Sequence, residues 1–310
     1  MPIRKEETKM EQTKQAPVFH VPSTQKKKYK SSSASLTVSR IFIYIFLIFL
    51  TLLCLFPFYI LLVNCSYPSS QIQQGFHWWF GNYFANNWNK LFNNSGTPVG
   101  KALFNSLWLA LVNSILTVYF SSLTAFATHT YRFKGKKFVE NFILLIMMTP
   151  TQVSSMGLVL YCIQHGLTNN YWILILPCIA APATYFYMKQ YMDSILPYEV
   201  IEAARVDGTS EIGIFHKIVL PIIKPALAVQ FIFCYVGNWN NFFTPAMLLN
   251  EENMKTIPLI ISSFKNSDPR TFDLGLVYML ITVAVVPILI VYLIFSRSII
   301  KNLTSGAVKG

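Results

Sequence analysis

Six runs of apolar residues, each long enough to cross a lipid bilayer, constrain this chain more than any other feature. A transmembrane helix needs about 17–25 apolar residues. Charged residues make up only 12% of the sequence, about half the fraction that is usual in soluble proteins. We therefore predict an all-α polytopic membrane protein with about six transmembrane helices, at Ile41–Val63, Ala102–Thr128, Phe138–Ile163, Tyr171–Met188, Pro221–Leu249 and Gly275–Phe295.

The basic residues predict the orientation of these spans. With the N-terminus placed inside, 20 of the 25 Lys and Arg residues fall in inner segments. Inner loops of membrane proteins carry such an excess, so we expect a multi-pass protein of the cell membrane with both termini in the cytoplasm. The net charge of +12 then suits anionic membrane lipid. Aromatic residues do not interleave with the basic clusters, which argues against a nucleic-acid partner.

These boundaries divide the chain into three regions. Residues 1–40 are polar and basic and predict a disordered cytoplasmic tail, residues 41–296 form the membrane domain, and residues 297–310 form a second cytoplasmic tail. Within the membrane domain, residues from about 195 to 221 form a charged loop between two apolar runs.

Several kinds of chemistry have no basis in the sequence. There is no P-loop, no H-E-x-x-H and no G-x-S-x-G motif, and the five cysteines are scattered without metal-ligand spacing. The predicted spans hold only Glu140 and Lys224 as charged residues, whereas proton- or sodium-coupled transporters need ionisable groups there. We expect no catalytic residue, no metal site and no enzyme.

The charged loop contains EAARVDGTSEIGIFHKIVLPIIKP, residues 202–225. Pro197 suits the start of a helix, and Gly208 permits a turn with positive φ. Thr209 or Ser210 can cap a second helix. We predict two short helices at an angle, before Pro221 and Pro225 mark the return into the membrane. The apolar faces would be Val200, Ile201 and Ala204 in the first helix, and Ile212, Phe215, Ile218 and Val219 in the second. An ordinary amphipathic loop is the alternative.

The pattern E-A-A-x-x-D-G, followed by a Phe and by I-x-L-P-x-x-x-P, resembles the cytoplasmic EAA loop of permease subunits of bacterial ABC importers. The resemblance implies that this loop is a coupling helix that docks on a partner ATPase. Thr209 stands where the family usually has Ala. The implied coupling residues are Glu202, Ala203, Ala204, Asp207, Gly208, Thr209, Phe215 and Pro221.

Other segments resemble the smaller permease of maltose-type importers, in the carbohydrate branch of the family. They include the C-terminal G-A-V-K-G, which in that branch reaches towards the ATPase interface. In this chain it comprises Gly306, Ala307, Val308, Lys309 and Gly310. The resemblance implies four kinds of partner: a second homologous permease in a heterodimer, an ATPase dimer that carries ATP and Mg, an extracellular solute-binding protein and membrane lipid. The chain itself would bind no cofactor.

Polar and aromatic residues inside the spans are candidates for the translocation path. Amides and hydroxyls beside aromatic rings suit a neutral sugar or oligosaccharide, whereas an acidic solute would call for Arg or Lys. Each residue could instead hydrogen-bond neighbouring helices, and a secondary transporter or channel for a small polar solute, not driven by ATP, is the alternative function. The candidates are Asn105, Asn113, Thr149, Gln152, Tyr235, Asn238, Trp239, Asn240 and Asn241.

Overall fold

The computed structural model describes the backbone of residues 33–94, 97–265 and 273–307, and the side chains of residues 39–93, 97–264 and 273–296. Every secondary-structure element assigned in these ranges is helical, as predicted. The helices are α1 (Ser33–Asn64), α2 (Ser69–Ile72), α3 (Phe84–Asn89), α4 (Val99–Thr130), α5 (Lys136–Met147), α6 (Thr151–Gln164), α7 (Trp172–Ile175), α8 (Pro182–Ile195), α9 (Tyr198–Val206), α10 (Glu211–Ile214), α11 (Leu220–Trp239), α12 (Phe243–Leu248), α13 (Ile257–Lys265) and α14 (Leu274–Ala307).

Short stretches of other helical geometry join some of these elements. Lys90–Asn94 and Phe215–Val219 are π-helical, and Leu176–Ile179 and Glu252–Met254 are 3-10 turns. The described residues divide into two compact units, one ending at Leu55 and the other beginning at Phe56, and the candidate site described below lies in the second.

The predicted number of spans is confirmed. Among the residues that the structure describes, five segments are long and apolar enough to cross a membrane, and a sixth results if the bent pair α5 and α6 counts as one span. The five are Ser39–Asn64, Val99–Thr130, Trp172–Ile195, Glu211–Leu248 and Leu274–Ser296.

The third predicted span, Phe138–Ile163, is not one straight helix. Its two halves, α5 and α6, meet at an angle of 91°. The break coincides with Pro150, which has an extended backbone and precedes the first residue of α6. Proline has no N–H for the helix ladder and keeps the residue before it out of the helical region, so the bend follows from the sequence at this point.

The boundaries of three other segments differ from those predicted. α1 begins at Ser33, so the predicted end of the N-terminal tail at residue 40 falls inside a helix; the segment from Ser33 to Arg40 contains neither Gly nor Pro. The fourth span is interrupted at Ala180 and Ala181 and extends seven residues further, to Ile195. Likewise, α14 continues beyond the predicted end of its span to Ala307.

α4 is the helix around which the second unit packs, because it contacts both α8 and α11 extensively. Its buried positions are dominated by small and polar residues, which allow neighbouring helices to approach closely. Where these side chains carry hydroxyls, the helix itself often accepts their hydrogen bonds: Ser114 donates to the Ala110 carbonyl at 2.5 Å and Ser122 to the Val118 carbonyl at 2.6 Å. Polar side chains are thus buried without a hydrogen-bonding deficit at these two positions.

Candidate functional site

The charged loop begins with α9. Pro197, in extended conformation, is the residue before the helix, and Leu196 is buried beside it. Glu199 lies in the first turn of α9 and Arg205 in the last, where each charge is favourable to the helix dipole. Ile201 and Ala204 are buried as predicted, whereas Val200 remains 37% exposed.

The turn after α9 has the geometry of a Schellman motif. The Gly208 N–H donates to the Arg205 carbonyl, and the Thr209 N–H donates to the Ala204 carbonyl, both at 3.0 Å. This pattern requires a left-handed residue at the first position after the cap, and Gly208 has φ +76°. A Cβ atom at Gly208 would meet no other atom within 4 Å. The predicted positive φ is confirmed, and only backbone conformation calls for glycine here.

Of the two predicted capping residues, Thr209 and Ser210, it is Ser210 that caps the next helix. Its side chain accepts a hydrogen bond from the Gly213 N–H at 3.2 Å, and its carbonyl accepts one from the Ile214 N–H at 2.8 Å. An N-cap hydroxyl of this kind satisfies one of the free N–H groups at a helix start. The loop is therefore defined by backbone hydrogen bonds on both sides of Gly208.

The second short helix is not a separate element, contrary to the prediction. α10 continues without a break through the π-helical turn Phe215–Val219 into α11 and so into the membrane span. Pro221 lacks the N–H that would bond to the preceding turn. A π-helical turn is one of the local adjustments by which a helix accommodates a proline, and it removes the predicted boundary at Pro221 and Pro225.

The apolar stripe of this segment differs from the prediction at its first residue. Ile212 was expected to face the core but is 72% exposed, whereas Phe215 and Val219 are fully buried as predicted and Ile214 is buried with them. Phe215 lies between Tyr119 and Phe126 of α4, with ring centroids 5.9 and 5.5 Å away. Phe215 therefore contributes to the site by fixing the loop on α4, and its side chain does not reach the surface.

An ion pair closes the loop across the Gly208 turn. Arg205 Nε donates to Glu211 Oε1 at 2.7 Å, and a second guanidinium nitrogen donates to Oε2 at 3.2 Å. The Tyr131 hydroxyl, just beyond the end of α4, donates to the same carboxylate at 2.7 Å, and the guanidinium lies over the Tyr131 ring at 5.5 Å. Desolvation and the hydrogen bond to Glu211 raise the pKa of Tyr131. We call Arg205, Glu211 and Tyr131 the clamp.

The clamp and the buried residues leave one surface of the loop open, which we call the coupling face. Its members are small, acidic or apolar, and two of them are large apolar side chains: Val206 is 88% exposed and Ile212 is 72% exposed. The motif predicted the polar and small members but not these two. The coupling face comprises Glu202, Ala203, Val206, Asp207, Gly208 and Ile212. Of the other predicted coupling residues, Ala204 is buried, Thr209 is half-buried, and Pro221 is exposed further along the segment.

A second polar cluster holds the entrance to α9. His129, near the end of α4, has Nδ1 at 2.7 Å from Asp193 Oδ1 and Nε2 at 3.2 Å from the Leu196 carbonyl. Lys189 donates to the two oxygens of Asp193 at 2.7 and 2.6 Å. The last turn of α8 and the residue before Pro197 are thereby tied to α4. No periodic or motif signal in the sequence indicates this contact.

Two of the candidate residues for the translocation path form hydrogen bonds to other segments of the protein. The Asn105 side-chain amide donates hydrogen bonds to the Asn253 and Lys255 carbonyls, at 3.0 and 3.1 Å. Asn113 donates to the Leu174 carbonyl and to Asn238, both at 3.3 Å. These two residues therefore join helices and loops in this conformation, in agreement with the alternative left open by the sequence.

A small polar cavity brings together part of the predicted set. Asn113, Asn238 and Asn241 line a space of about 20 Å³ with Ser106 and Thr256. The cavity is too small for a sugar ring, since it offers about the room of one water molecule.

The remaining path candidates lie apart from this cavity. Tyr235 and Trp239 are buried and stack on each other with centroids 5.9 Å apart, so neither ring is open to a ligand in this conformation. Thr149 and Gln152 are exposed around the break between α5 and α6, and Asn240 is exposed at the end of α11. The C-terminal motif G-A-V-K-G is described only in part. Gly306 and Ala307 have helical backbone at the end of α14, and Val308, Lys309 and Gly310 lie outside the described residues.

Comparison with known proteins identifies the family. Residues 118–304 match the model of the family described as "Binding-protein-dependent transport system inner membrane component". The chain is 34% identical over 289 residues to the arabinooligosaccharides transport system permease protein AraQ of Bacillus subtilis (strain 168), covering 90% of this chain and 99% of the relative. It is 31% identical to the lactose transport system permease protein LacG of Rhizobium radiobacter, covering 83% and 92%.

A solved structure supports the fold. A chain in the crystal structure of a bacterial ABC transporter involved in the import of the acidic polysaccharide alginate superposes with a TM-score of 0.72, over 85% of this chain and 97% of that chain, at 21% identity. The alternative of a secondary transporter or channel that is not driven by ATP is set aside by the family match, which covers the segment from α4 to α14. The chain thus belongs to the inner membrane components of binding-protein-dependent transport systems, which are the permease subunits, not the enzymes, of bacterial ABC importers.

Proposed function

We propose that this chain forms one half of the translocation path of a sugar importer and that its coupling face is seated on a separate ATPase. One observation carries the proposal: the coupling face is held by the Schellman turn, the Ser210 cap and the clamp, yet it exposes Val206 and Ile212 to solvent. Exposed apolar side chains on a well-ordered loop favour burial against a partner surface. The small side chain of Ala203, which is exposed, allows that partner to approach the backbone closely.

The orientation follows from the distribution of charge. We place the loop and both termini in the cytoplasm because most Lys and Arg residues are on that side. The basic segment before α1 forms a cytoplasmic tail, residues up to 296 form the permease domain, and residues 297–310 extend towards the ATPase interface. In the proposed complex, ATP and Mg are bound by an ATPase dimer and not by this chain. The chain forms a heterodimer with a second, homologous permease. The binding protein delivers the solute from outside.

The substrate we propose is a neutral sugar or oligosaccharide. The polar groups near the path are amides and hydroxyls, and no charged side chain lines the cavity of Asn113, Asn238 and Asn241. The names of the relatives AraQ and LacG, which mention arabinooligosaccharides and lactose, support the same class. Because Asn105 and Asn113 are used in contacts between segments, direct contact with sugar falls to the exposed side chains of Thr149, Gln152 and Asn240.

The test is a reconstituted importer. The chain is co-expressed with the second permease, the ATPase and the binding protein of its importer, and the complex is placed in lipid nanodiscs. We expect arabinotriose or lactose, presented with the binding protein, to stimulate ATP hydrolysis, and an alginate oligosaccharide of similar length to leave it at the basal rate. Stimulation by the acidic sugar alone would contradict a neutral substrate. Failure of the ATPase to co-purify with this chain would contradict the docking role.

A further inference from the structure

An aromatic segment at the other end of the spans has no role in the proposed coupling. Residues 75–81, which we call the aromatic flap, contain GFHWWFG between α2 and α3. Four of its large apolar side chains are exposed: Phe76 at 48%, Trp78 at 61%, Trp79 at 81% and Phe80 at 63%. The sequence has no Asp, Glu, Lys or Arg between Arg40 and Lys90. An exposed patch that is this apolar and uncharged requires a partner that is apolar as well.

The contacts of the flap show where it lies. Phe76 stacks on Phe56 with ring centroids 6.1 Å apart, Trp78 lies 6.5 Å from the same ring, and Phe80 lies 6.5 Å from Tyr59. Phe56 precedes the end of α1 at Asn64 by eight residues, which corresponds to about 12 Å along the helix axis. The flap therefore folds back along the side of the span instead of extending away from its end.

The hydrogen bonds of the flap suit a position inside the membrane boundary. The flap is not helical, so its backbone groups have no partners in a regular ladder, and such groups are costly in lipid. The Tyr59 hydroxyl donates to the Trp78 carbonyl, and the Tyr67 hydroxyl donates to the Trp79 carbonyl at 2.8 Å. The Gly81 N–H donates to Ser66 Oγ at 2.7 Å. Two tyrosines and a serine thus satisfy the backbone where the flap presents its most exposed rings.

Glycine at position 81 allows this close return of the chain. A Cβ atom there would lie 2.6 Å from the Ser66 carbonyl oxygen and 2.9 Å from the Tyr67 ring. The flap is consequently fixed against the end of α1, and Trp79 is the most exposed of its aromatic side chains. Tryptophan and tyrosine are enriched at the level of the lipid headgroups, where an apolar ring and a polar N–H or O–H are both accommodated.

We propose that the aromatic flap inserts into the bilayer at the boundary of headgroups and acyl chains and anchors the permease at the end of the spans opposite the coupling face. The partner is lipid, because the rings lie beside the apolar span and no charge accompanies them. A docked protein and a stacked sugar are the other possible occupants of an aromatic surface, and the experiment separates them.

The experiment uses the full importer in nanodiscs made with phosphatidylcholine brominated either close to the headgroup or near the chain end. Bromine quenches tryptophan fluorescence on contact. The difference in fluorescence between the wild-type complex and the Trp78→Phe/Trp79→Phe complex isolates these two residues. We expect that difference to be quenched strongly by the shallow bromines, weakly by the deep ones and weakly by aqueous iodide. The matched control is Trp239→Phe, which removes a buried tryptophan and should leave the lipid-quenched component unchanged.

Quenching of the difference by iodide and not by brominated lipid would overturn the proposal. A second measurement needs no variant: hydroxyl-radical footprinting of the wild-type complex should find Trp79 protected in nanodiscs without any binding protein present. Strong oxidation of Trp79, or protection that appears only when binding protein or sugar is added, would assign the surface to another occupant and overturn the lipid anchor.

Discussion

Arg205 and Glu211 face each other across the Gly208 turn with two hydrogen bonds, at 2.7 and 3.2 Å. The pair joins the last turn of α9 to the first residue of α10, so the angle between the two arms of the loop depends on it. The Tyr131 hydroxyl attaches the same carboxylate to the end of α4. The coupling face is thereby connected to the helix around which the second unit packs.

The first prediction concerns this clamp. Arg205→Ala should lower substrate uptake several-fold, since a partly exposed pair of this kind is worth on the order of 1 kcal/mol. Glu211→Ala should have a similar effect, and the double variant should be no worse than either single one, because the two residues act as one unit. Uptake into proteoliposomes measures all three, with the exposed Lys217→Ala as a control that should behave as wild type. Additive losses would indicate that Arg205 contacts the ATPase directly.

The second prediction concerns the conformation of Gly208. A side chain at this position meets nothing within 4 Å, so any effect of substitution comes from the positive φ. Asn tolerates the left-handed region and Val does not. Gly208→Asn should retain most uptake, Gly208→Ala should retain less, and Gly208→Val should abolish it while the subunit still inserts in the membrane. The measurements are uptake and the amount of ATPase that co-purifies; equal activity of the three variants would contradict the role of the turn.

The sequence predicted the local features of the loop better than its long-range contacts. Gly208 and Ser210 are determined by rules that act within a few residues, and both have the predicted roles. In the following segment Phe215 and Val219 are buried as predicted, and Ile212 is the predicted inward residue that is exposed. Tyr131 and His129 come from the end of α4, and nothing local in the sequence connects them to a loop that follows some 65 to 80 residues later.

The difference between local features and long-range contacts also explains why the sequence could not identify the residues that line the translocation path. The polar residues inside the spans were identified from composition, which cannot separate residues that hydrogen-bond neighbouring segments from those that contact a solute. Asn105 and Asn113 belong to the first kind in this conformation. Pro150 indicates that a break lies between α5 and α6. The angle of 91° depends on how the two helices pack against the rest of the protein, which the sequence of this apolar run does not specify.

The third prediction concerns Glu202 on the coupling face. No ion pair within the described part of the chain involves Glu202, and we expect it to meet a basic residue of the ATPase. Glu202→Lys would place like charges in a partly desolvated contact, at a cost of several kcal/mol, and uptake should fail. An acidic substitution at the matching ATPase position should restore part of it.

Glu199→Lys is the matched control for a simple helix-terminus effect. Glu199 lies in the first turn of the same helix, where reversal of charge opposes the helix dipole more directly. If Glu202 acted only through the dipole, Glu199→Lys would be at least as harmful. We expect the opposite order in uptake and in ATPase co-purification.

The fourth prediction concerns the C-terminal tail. Deletion of residues 305–310 removes the last residues of α14 and the segment that follows it. Because the tail comes after the end of the last span at Ser296, membrane insertion and the amount of assembled complex should not change. Stimulated ATP hydrolysis and uptake should fall if the tail reaches the ATPase interface. A truncated complex that hydrolyses ATP and imports substrate at the wild-type rate would show that the tail has no part in coupling.

The last prediction concerns His129 as a positioning residue for the coupling helix. Its ring binds Asp193 through Nδ1 and the Leu196 carbonyl through Nε2, and Leu196 is the buried residue just before Pro197 and α9. His129→Ala should loosen the entrance to α9 without removing any group from the coupling face. The ATPase should therefore still co-purify, while fewer substrate molecules are imported per ATP hydrolysed. His165→Ala, which removes a histidine bonded to a carbonyl of its own helical turn, should leave that ratio unchanged. A His129→Ala complex with the wild-type ratio, whatever its thermal stability, would limit His129 to a structural role in joining α4 and α8.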